Sequence, residues 1–206
     1  VTMSDMLMHV KSVVRASKKS LIVVDMPFMS YQTDISDAIS NAGRLIKEGG
    51  AQSVKLEGGE KVATTVARIV DCGIPVMGHI GLTPQSVNQL GGYKVQGKSE
   101  KEKEQLIVDA KAIENAGAYS IVLELVKSDL AEEITKEISI PTIGIGSGPN
   151  CSGQIQVIHD VLGLSLGESY KHSRQYLDLR KSIPEALKQY LKDSNSGDFP
   201  SSKESF

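Results

Sequence analysis

The chain alternates short apolar runs with amphipathic stretches at helical spacing, and this alternation repeats from one end to the other. Repeated strand and helix in turn call for a parallel sheet with helices on its faces. Met6, Leu7, Val10, Val13 and Val14 recur at helical spacing behind possible caps at Thr2 and Ser4. Leu21–Asp25 then reads as a buried strand. Ile35, Ile39, Ala42 and Ile46 mark a helix stopped by Gly49-Gly50, and Ser53–Glu57 is the next strand. Val62, Val66, Ile69 and Val70 predict another helix, followed by a strand over Pro75–Ile80. Ser99 and Glu102 are spaced as a capping box that opens a helix through Leu106, Ala110 and Ile113. Strands follow at Ser120–Val126, Pro141–Gly146 and Gln154–Asp160, with a helix through Leu130, Ile134 and Ile138 between the first two. Helices are expected near Arg174–Leu179 and Pro184–Lys192, and a polar tail from about Ser194.

Six strand signals with a helix first suit a (β/α)8 barrel of the TIM type lacking its first two strands, which would add about 50 to 60 residues. The whole chain, 1–206, is expected to form one barrel domain, with C-terminal helices from about 168. An open doubly wound sheet is the alternative, but no glycine fingerprint follows an early strand. At 206 residues the chain is long enough for one sizeable core. A formal net charge of −2 and scattered basic residues offer no surface for nucleic acid or an acidic membrane. Two cysteines, Cys72 and Cys151, suggest neither a disulfide framework nor a zinc site. No apolar run reaches the length of a membrane span and no signal-peptide pattern opens the chain, so a cytoplasmic protein is expected.

Polar residues sit where barrel chemistry gathers, at the C-terminal ends of strands: Asp25, Lys55 with Glu57, His79 and Glu124. Any one of them alone reads best as a satisfied core polar group; four strand ends bearing such groups converge on a site. Lys55 and Glu57 are two apart and share one face of their strand. They make either a local ion pair or a metal ligand beside a cation for a substrate anion. Asp25 and Glu57 are hard oxygen ligands that suit Mg²⁺. Glu124 has aliphatic neighbours, and burial there would raise its pKa towards that of a general base; pairing with Lys55 is the plainer account. Gly144–Gly148 is either a tight turn or a loop offering N–H groups to phosphate. His159 reads as a core or supporting histidine, and His9 and His172 receive no role.

Several segments resemble signatures of the ketopantoate hydroxymethyltransferase family. They are Asp25-Met-Pro-Phe-Met-Ser-Tyr31, Val54-Lys-Leu-Glu-Gly-Gly59, Gly78-His-Ile-Gly-Leu-Thr-Pro-Gln85, Gly91–Gly97, Val122-Leu-Glu124, and Gly144–Gly148 with Gly153-Gln-Ile and His159–Gly163. The resemblance covers essentially the whole chain, more loosely beyond Gly167. It implies a (β/α)8 barrel that moves a one-carbon unit from 5,10-methylenetetrahydrofolate to 3-methyl-2-oxobutanoate. It also implies Mg²⁺ on Asp25 and Glu57, substrate contacts from Asp25, Lys55 and His79, Glu124 as proton acceptor, and a homo-oligomer, a decamer. The family's third acidic ligand lies in a Gly-Asp-Ser motif on its second strand. No such motif occurs upstream of Asp25, in keeping with the two strands expected to be missing. Two rivals stand beside this reading: a Mg²⁺ lyase or mutase acting on 2-oxo acids, and a non-catalytic barrel remnant.

Overall fold

In a computed structural model, which describes residues 1–167 and 170–206, six parallel strands pair in sequence order into one curled sheet, part of a barrel wall. The strands are β1 (Val23–Asp25), β2 (Ser53–Glu57), β3 (Val76–Gly81), β4 (Ser120–Glu124), β5 (Thr142–Ile145) and β6 (Gly153–Gln154). Six helices accompany them: α1 (Met3–Ala16), α2 (Ile35–Lys47), α3 (Glu60–Asp71), α4 (Val87–Leu90), α5 (Glu100–Asn115) and α6 (Ser128–Glu137). A closed eight-strand barrel is not what these residues form; the sheet is a six-stranded partial one.

Three of these helices start where the sequence supplies a cap. Thr2 and Asp5 form a capping box on α1, and Ser99 and Glu102 form one on α5. Asp34 accepts the N–H groups of Ser36 and Asp37 at the start of α2. Helix α3 has no cap of its own at Gly59. Asp109 of α5 supplies it, accepting the Glu60 N–H at 2.9 Å.

Side-chain alternation then builds the core. Val54 and Leu56 of β2 are fully buried against the helices, as are Val66 and Ile69 of α3. Leu106, Ala110 and Ile113 form the buried stripe of α5. Each fully buried Leu or Ile contributes about 1.5–3 kcal/mol. Lys55 and Glu57 take the opposite face of β2. The register sets Asp25 beside Lys55, Glu57 beside His79, and Gly81 beside Glu124, so the polar groups gather at one end of the sheet.

Contacts divide the chain into two units, Val1–Ile155 and Gln156–Phe206. Several features near and within the second differ from the sequence reading. Only Gly153–Gln154 pairs with β5, and the remainder of the expected strand at Gln154–Asp160 does not continue it. Ile155, Val157 and Ile158 are about half exposed, so their apolar alternation marks no buried face. Residues Ile158–Val161 instead make a single helical turn, α7. Residues 174–178 are not helical: Tyr176 and Leu177 donate to Val161 O, which holds the segment against α7. Helix α8 (Leu179–Ser196) begins where Asp178 accepts the Lys181 N–H, and it runs two residues past the expected start of the polar tail, to a left-handed Gly197. His159 is exposed, which removes it from any core role.

Candidate active site

Strand register alone would place five ionisable side chains near one another; the side chains themselves close the distance. Lys55 Nζ lies 2.9 Å from Asp25 Oδ1 and 3.1 Å from His79 Nδ1. The other ring nitrogen, His79 Nε2, is 3.2 Å from Glu124 Oε2. Glu57 Oε1 is 3.7 Å from His79 Nδ1. All five residues proposed from the sequence therefore share one cluster, with buried His79 at its centre. Lys55 pairs with Asp25 rather than Glu57, and Glu124 meets His79 rather than Lys55, so both of the plainer pairings expected for them are replaced.

Asp25 Oδ1 and His79 Nε2 are both buried without an aligned hydrogen-bond partner, although Lys55 and Glu124 respectively stand within contact distance. Native interiors pair nearly all buried polar atoms, and here two atoms of one cluster are held by charge contacts alone.

Burial pushes the Glu57 carboxyl above its ordinary range; the nearby His79, Lys55 and Gln85 N–H draw it back, and Asp25 adds to the rise. A carboxylate held at such cost beside a second carboxylate suits a cation. Asp25 and Glu57 supply the hard oxygen atoms that Mg²⁺ accepts. Among the described residues no group of three or more His, Cys, Asp or Glu side chains is arranged to hold a metal ion. The two carboxylates fit Mg²⁺ by chemistry but make only part of a coordination shell.

Two residues that strand-end reasoning passed over complete the site. The buried Tyr31 hydroxyl accepts the Glu57 N–H at 3.1 Å and lies 3.0 Å from Gln85 Oε1. Gln85 donates its main-chain N–H to Glu57 Oε2 at 3.0 Å and its side-chain amide to Met26 O at 2.9 Å. Burial, and the negative charges of Glu57 and Asp25, push the Tyr31 phenol well above its ordinary value, so it remains a donor. Both residues close motifs quoted from the sequence, Asp25–Tyr31 and Gly78–Gln85, which was the available signal.

The segment after β4 is held with similar care. Leu125 adopts φ 47°, a left-handed conformation that is uncommon for leucine. Ser147 brackets it, donating to Leu123 O at 2.7 Å and accepting the Val126 N–H at 3.0 Å. The Gly144–Gly148 segment thus acts as a tight turn, with Gly146 and Gly148 left-handed and the serine turned inward to fix the Glu124 strand end. Cys72 and Cys151 are both free. No described helix is long and apolar enough to cross a membrane.

The ketopantoate hydroxymethyltransferase family model matches residues 1–202. Proteins named 3-methyl-2-oxobutanoate hydroxymethyltransferase align along all of this chain. That of Carboxydothermus hydrogenoformans is 59% identical, with 75% of its own length covered. That of Dehalococcoides mccartyi is 60% identical, with 74% covered, and that of Geobacter metallireducens 56%, with 77% covered. Among solved structures, a proposed phosphonomutase from Burkholderia cenocepacia superposes with a TM-score of 0.60 at 16% identity, over 92% of this chain and 79% of that one. A proposed lyase or mutase from the same organism gives 0.53 at 13% identity, over 97% and 69%. At such identities these two likenesses concern the fold alone.

Proposed function

Because the chain belongs to the ketopantoate hydroxymethyltransferase family of transferases, we propose that it moves a hydroxymethyl unit from 5,10-methylenetetrahydrofolate to 3-methyl-2-oxobutanoate, giving 2-dehydropantoate on the route to pantothenate. The observation that carries this reading is one cluster at the end of a parallel sheet, in which Lys55 touches Asp25 and His79, and His79 touches Glu57 and Glu124.

Asp25 and Glu57 would hold Mg²⁺, with Asp25 also contacting substrate. Bound there, the metal would supply Lewis-acid polarisation of a 2-oxo acid's carbonyl. Lys55 is placed to receive the substrate carboxylate as a compact positive charge. His79 takes a fixed orientation from its contacts with Lys55 and Glu124, and presents a hydrogen-bonding edge to the substrate. Glu124 takes the proton from C3, the resulting carbanion bonds the folate-borne methylene carbon as that carbon leaves the folate nitrogens, and water supplies the hydroxyl oxygen. Positioning C3 between Glu124 and the folate is a large share of the catalysis. A cytoplasmic enzyme acting on small molecules fits this reading, as does a homo-oligomer, the decamer that the family resemblance implies.

The test is a turnover assay on the intact protein with Mg²⁺, 3-methyl-2-oxobutanoate and 5,10-methylenetetrahydrofolate. Formation of 2-dehydropantoate that stops when folate is withheld supports the proposal. Folate-independent cleavage or rearrangement of a 2-oxo acid would place the enzyme with the lyases and mutases instead.

A further inference from the structure

We propose that Tyr31 and Gln85 are positioning residues, a buried hydroxyl–amide clamp that fixes the Glu57 carboxylate and the end of β1 in the geometry a divalent cation needs. The inference rests on the reading that Asp25 and Glu57 hold Mg²⁺.

The bonding directions in the clamp are determined. Met26 O can only accept, so the Gln85 side chain must turn its NH2 there and its Oε1 towards Tyr31. Oε1 can only accept, so the Tyr31 hydroxyl donates to it, with the Glu57 carbonyl at 3.3 Å as its other acceptor. The hydroxyl oxygen then accepts the Glu57 N–H. Gln32 Nε2, 3.2 Å from Oε1, fills the second acceptor position. The chain of bonds runs Glu57 N–H, Tyr31 O–H, Gln85 amide, Met26 O, with one orientation at each step.

This chain ties the loop after β1 and the turn after β3 to the end of β2. Tyr31 comes from the loop after β1, and Gln85 from a 3-10 turn, Pro84–Ser86, after β3. Glu57 ends β2. Met26, the residue after Asp25, is fixed twice: its N–H donates to Lys55 O at 3.0 Å and its carbonyl accepts from Gln85. The carboxylate of Glu57 is fixed as well. Its Oε2 is engaged by the Gln85 main-chain N–H, which leaves Oε1 directed into the cluster. A free glutamate side chain rotates about three bonds, and confining it beforehand removes an entropic cost from ligand binding. Partners one shell out from a metal commonly govern affinity by about 10–100-fold.

The clamp also explains why a tyrosine is buried in a polar loop. Its ring is 3% exposed while Phe28 and Met29, in the same motif, are more than half exposed. A hydrophobic role alone would be met by phenylalanine; only the hydroxyl reaches Glu57 and Gln85.

The test is calorimetric Mg²⁺ binding to the intact enzyme without substrates, for Tyr31→Phe, Gln85→Met and Glu57→Gln. Tyr31→Phe deletes the hydroxyl alone. Gln85→Met keeps the length and the main-chain N–H but removes the amide, and its half-exposed position makes it the safer variant should Tyr31→Phe fold poorly. The expected result is a Mg²⁺ dissociation constant raised about 10-fold or more in both clamp variants, with turnover recovered at high Mg²⁺. A lowered melting temperature with unchanged Mg²⁺ affinity in both would overturn the proposal, because that is the signature of packing alone. Glu57→Gln separates the two hypotheses. Unchanged affinity in that variant means Glu57 is not a ligand and the metal assignment has failed. Lost affinity there, with none lost in the clamp variants, means the clamp has failed while the metal assignment stands.

Discussion

His79 Nε2 stands 3.2 Å from Glu124 Oε2, at the end of a line that begins with Lys55 Nζ, 3.1 Å from the other ring nitrogen. A charged Lys55 can only donate, so His79 Nδ1 must accept and the ring proton belongs on Nε2, facing Glu124. The imidazole thereby couples the substrate-anion cation to the carboxylate proposed as base, through a ring that is 2% exposed.

Replacing that ring tests the coupling. His79→Phe preserves a buried flat side chain and removes both nitrogens. Lys55 then loses one partner and Glu124 loses the group it faces. Losing buried partners costs about 1–3 kcal/mol, and denaturant unfolding should register a loss of that size. His79→Phe together with Glu124→Ala should cost less than the two single changes summed, because both remove the same contact. Full additivity would mean the two residues do not interact.

Glu57 should leave a mark on the pH dependence of stability. Burial raises its pKa in the folded protein above the ordinary value of 4.5. Between those two values the folded state binds more protons than the unfolded state, so stability falls as pH rises through that window. In metal-free protein, Glu57→Gln keeps an acceptor for the Gln85 N–H and carries no charge to desolvate. It should melt higher than the unaltered protein at pH 7, and the difference should shrink as pH falls through that window towards 4.5. Melting curves recorded with chelator from pH 4 to 8 decide this; a Glu57→Gln protein less stable at pH 7 contradicts it.

The cap on α3 makes an independent prediction about the fold. A Cβ added at Gly59 would overlap the Asp109 carboxylate, the group that caps Glu60 N–H. Gly59→Ala must therefore displace Asp109 and should cost about 1–3 kcal/mol. Asp109→Ala should cost about 0.5–2 kcal/mol as a lost cap. Once Asp109 is gone the clash is gone, so the double variant should be little worse than Asp109→Ala. Summed losses in the double variant would show that Gly59 is required for another reason.

Most of the architecture was readable because strands buried between helices and a polar cluster must be apolar runs that end in polar residues. Ser120–Glu124 and Thr142–Ile145 are found within the runs that announced them, and Asp25, Glu57 and Glu124 each end their strands. The reading failed at Gln154–Asp160, where Ile155 and Val157 alternate like strand residues but have no layer to cover them. Tyr31 and Gln85 escaped a search for ionisable groups on strand ends because both lie in loops. Their significance comes from bonds across 26 and 28 residues to Glu57, a separation that local pattern cannot express. Leu125 escaped for a related reason. Its left-handed backbone is imposed by Ser147 and by Gln96 N–H, which donates to Leu125 O at 2.8 Å.

The proton-transfer role of Glu124 can be isolated from the rest of the reaction. Its carboxylate ends β4, 18% exposed, with one oxygen against His79 and the segment behind it fixed by Ser147. If it is the base, it acts on the C3 proton before the one-carbon unit is needed. The intact enzyme with Mg²⁺ and 3-methyl-2-oxobutanoate, and no folate, should then exchange that proton with deuterium from solvent. Glu124→Gln keeps the shape and can still contact His79, but it cannot accept the proton. Exchange and turnover should fall together by about 10²- to 10⁴-fold, the usual share of a general base, while substrate and Mg²⁺ still bind. Exchange at the unaltered rate in Glu124→Gln would transfer the role to another group. Lys55 would then be the first to test, since its Nζ stands 3.1 Å from the other His79 ring nitrogen.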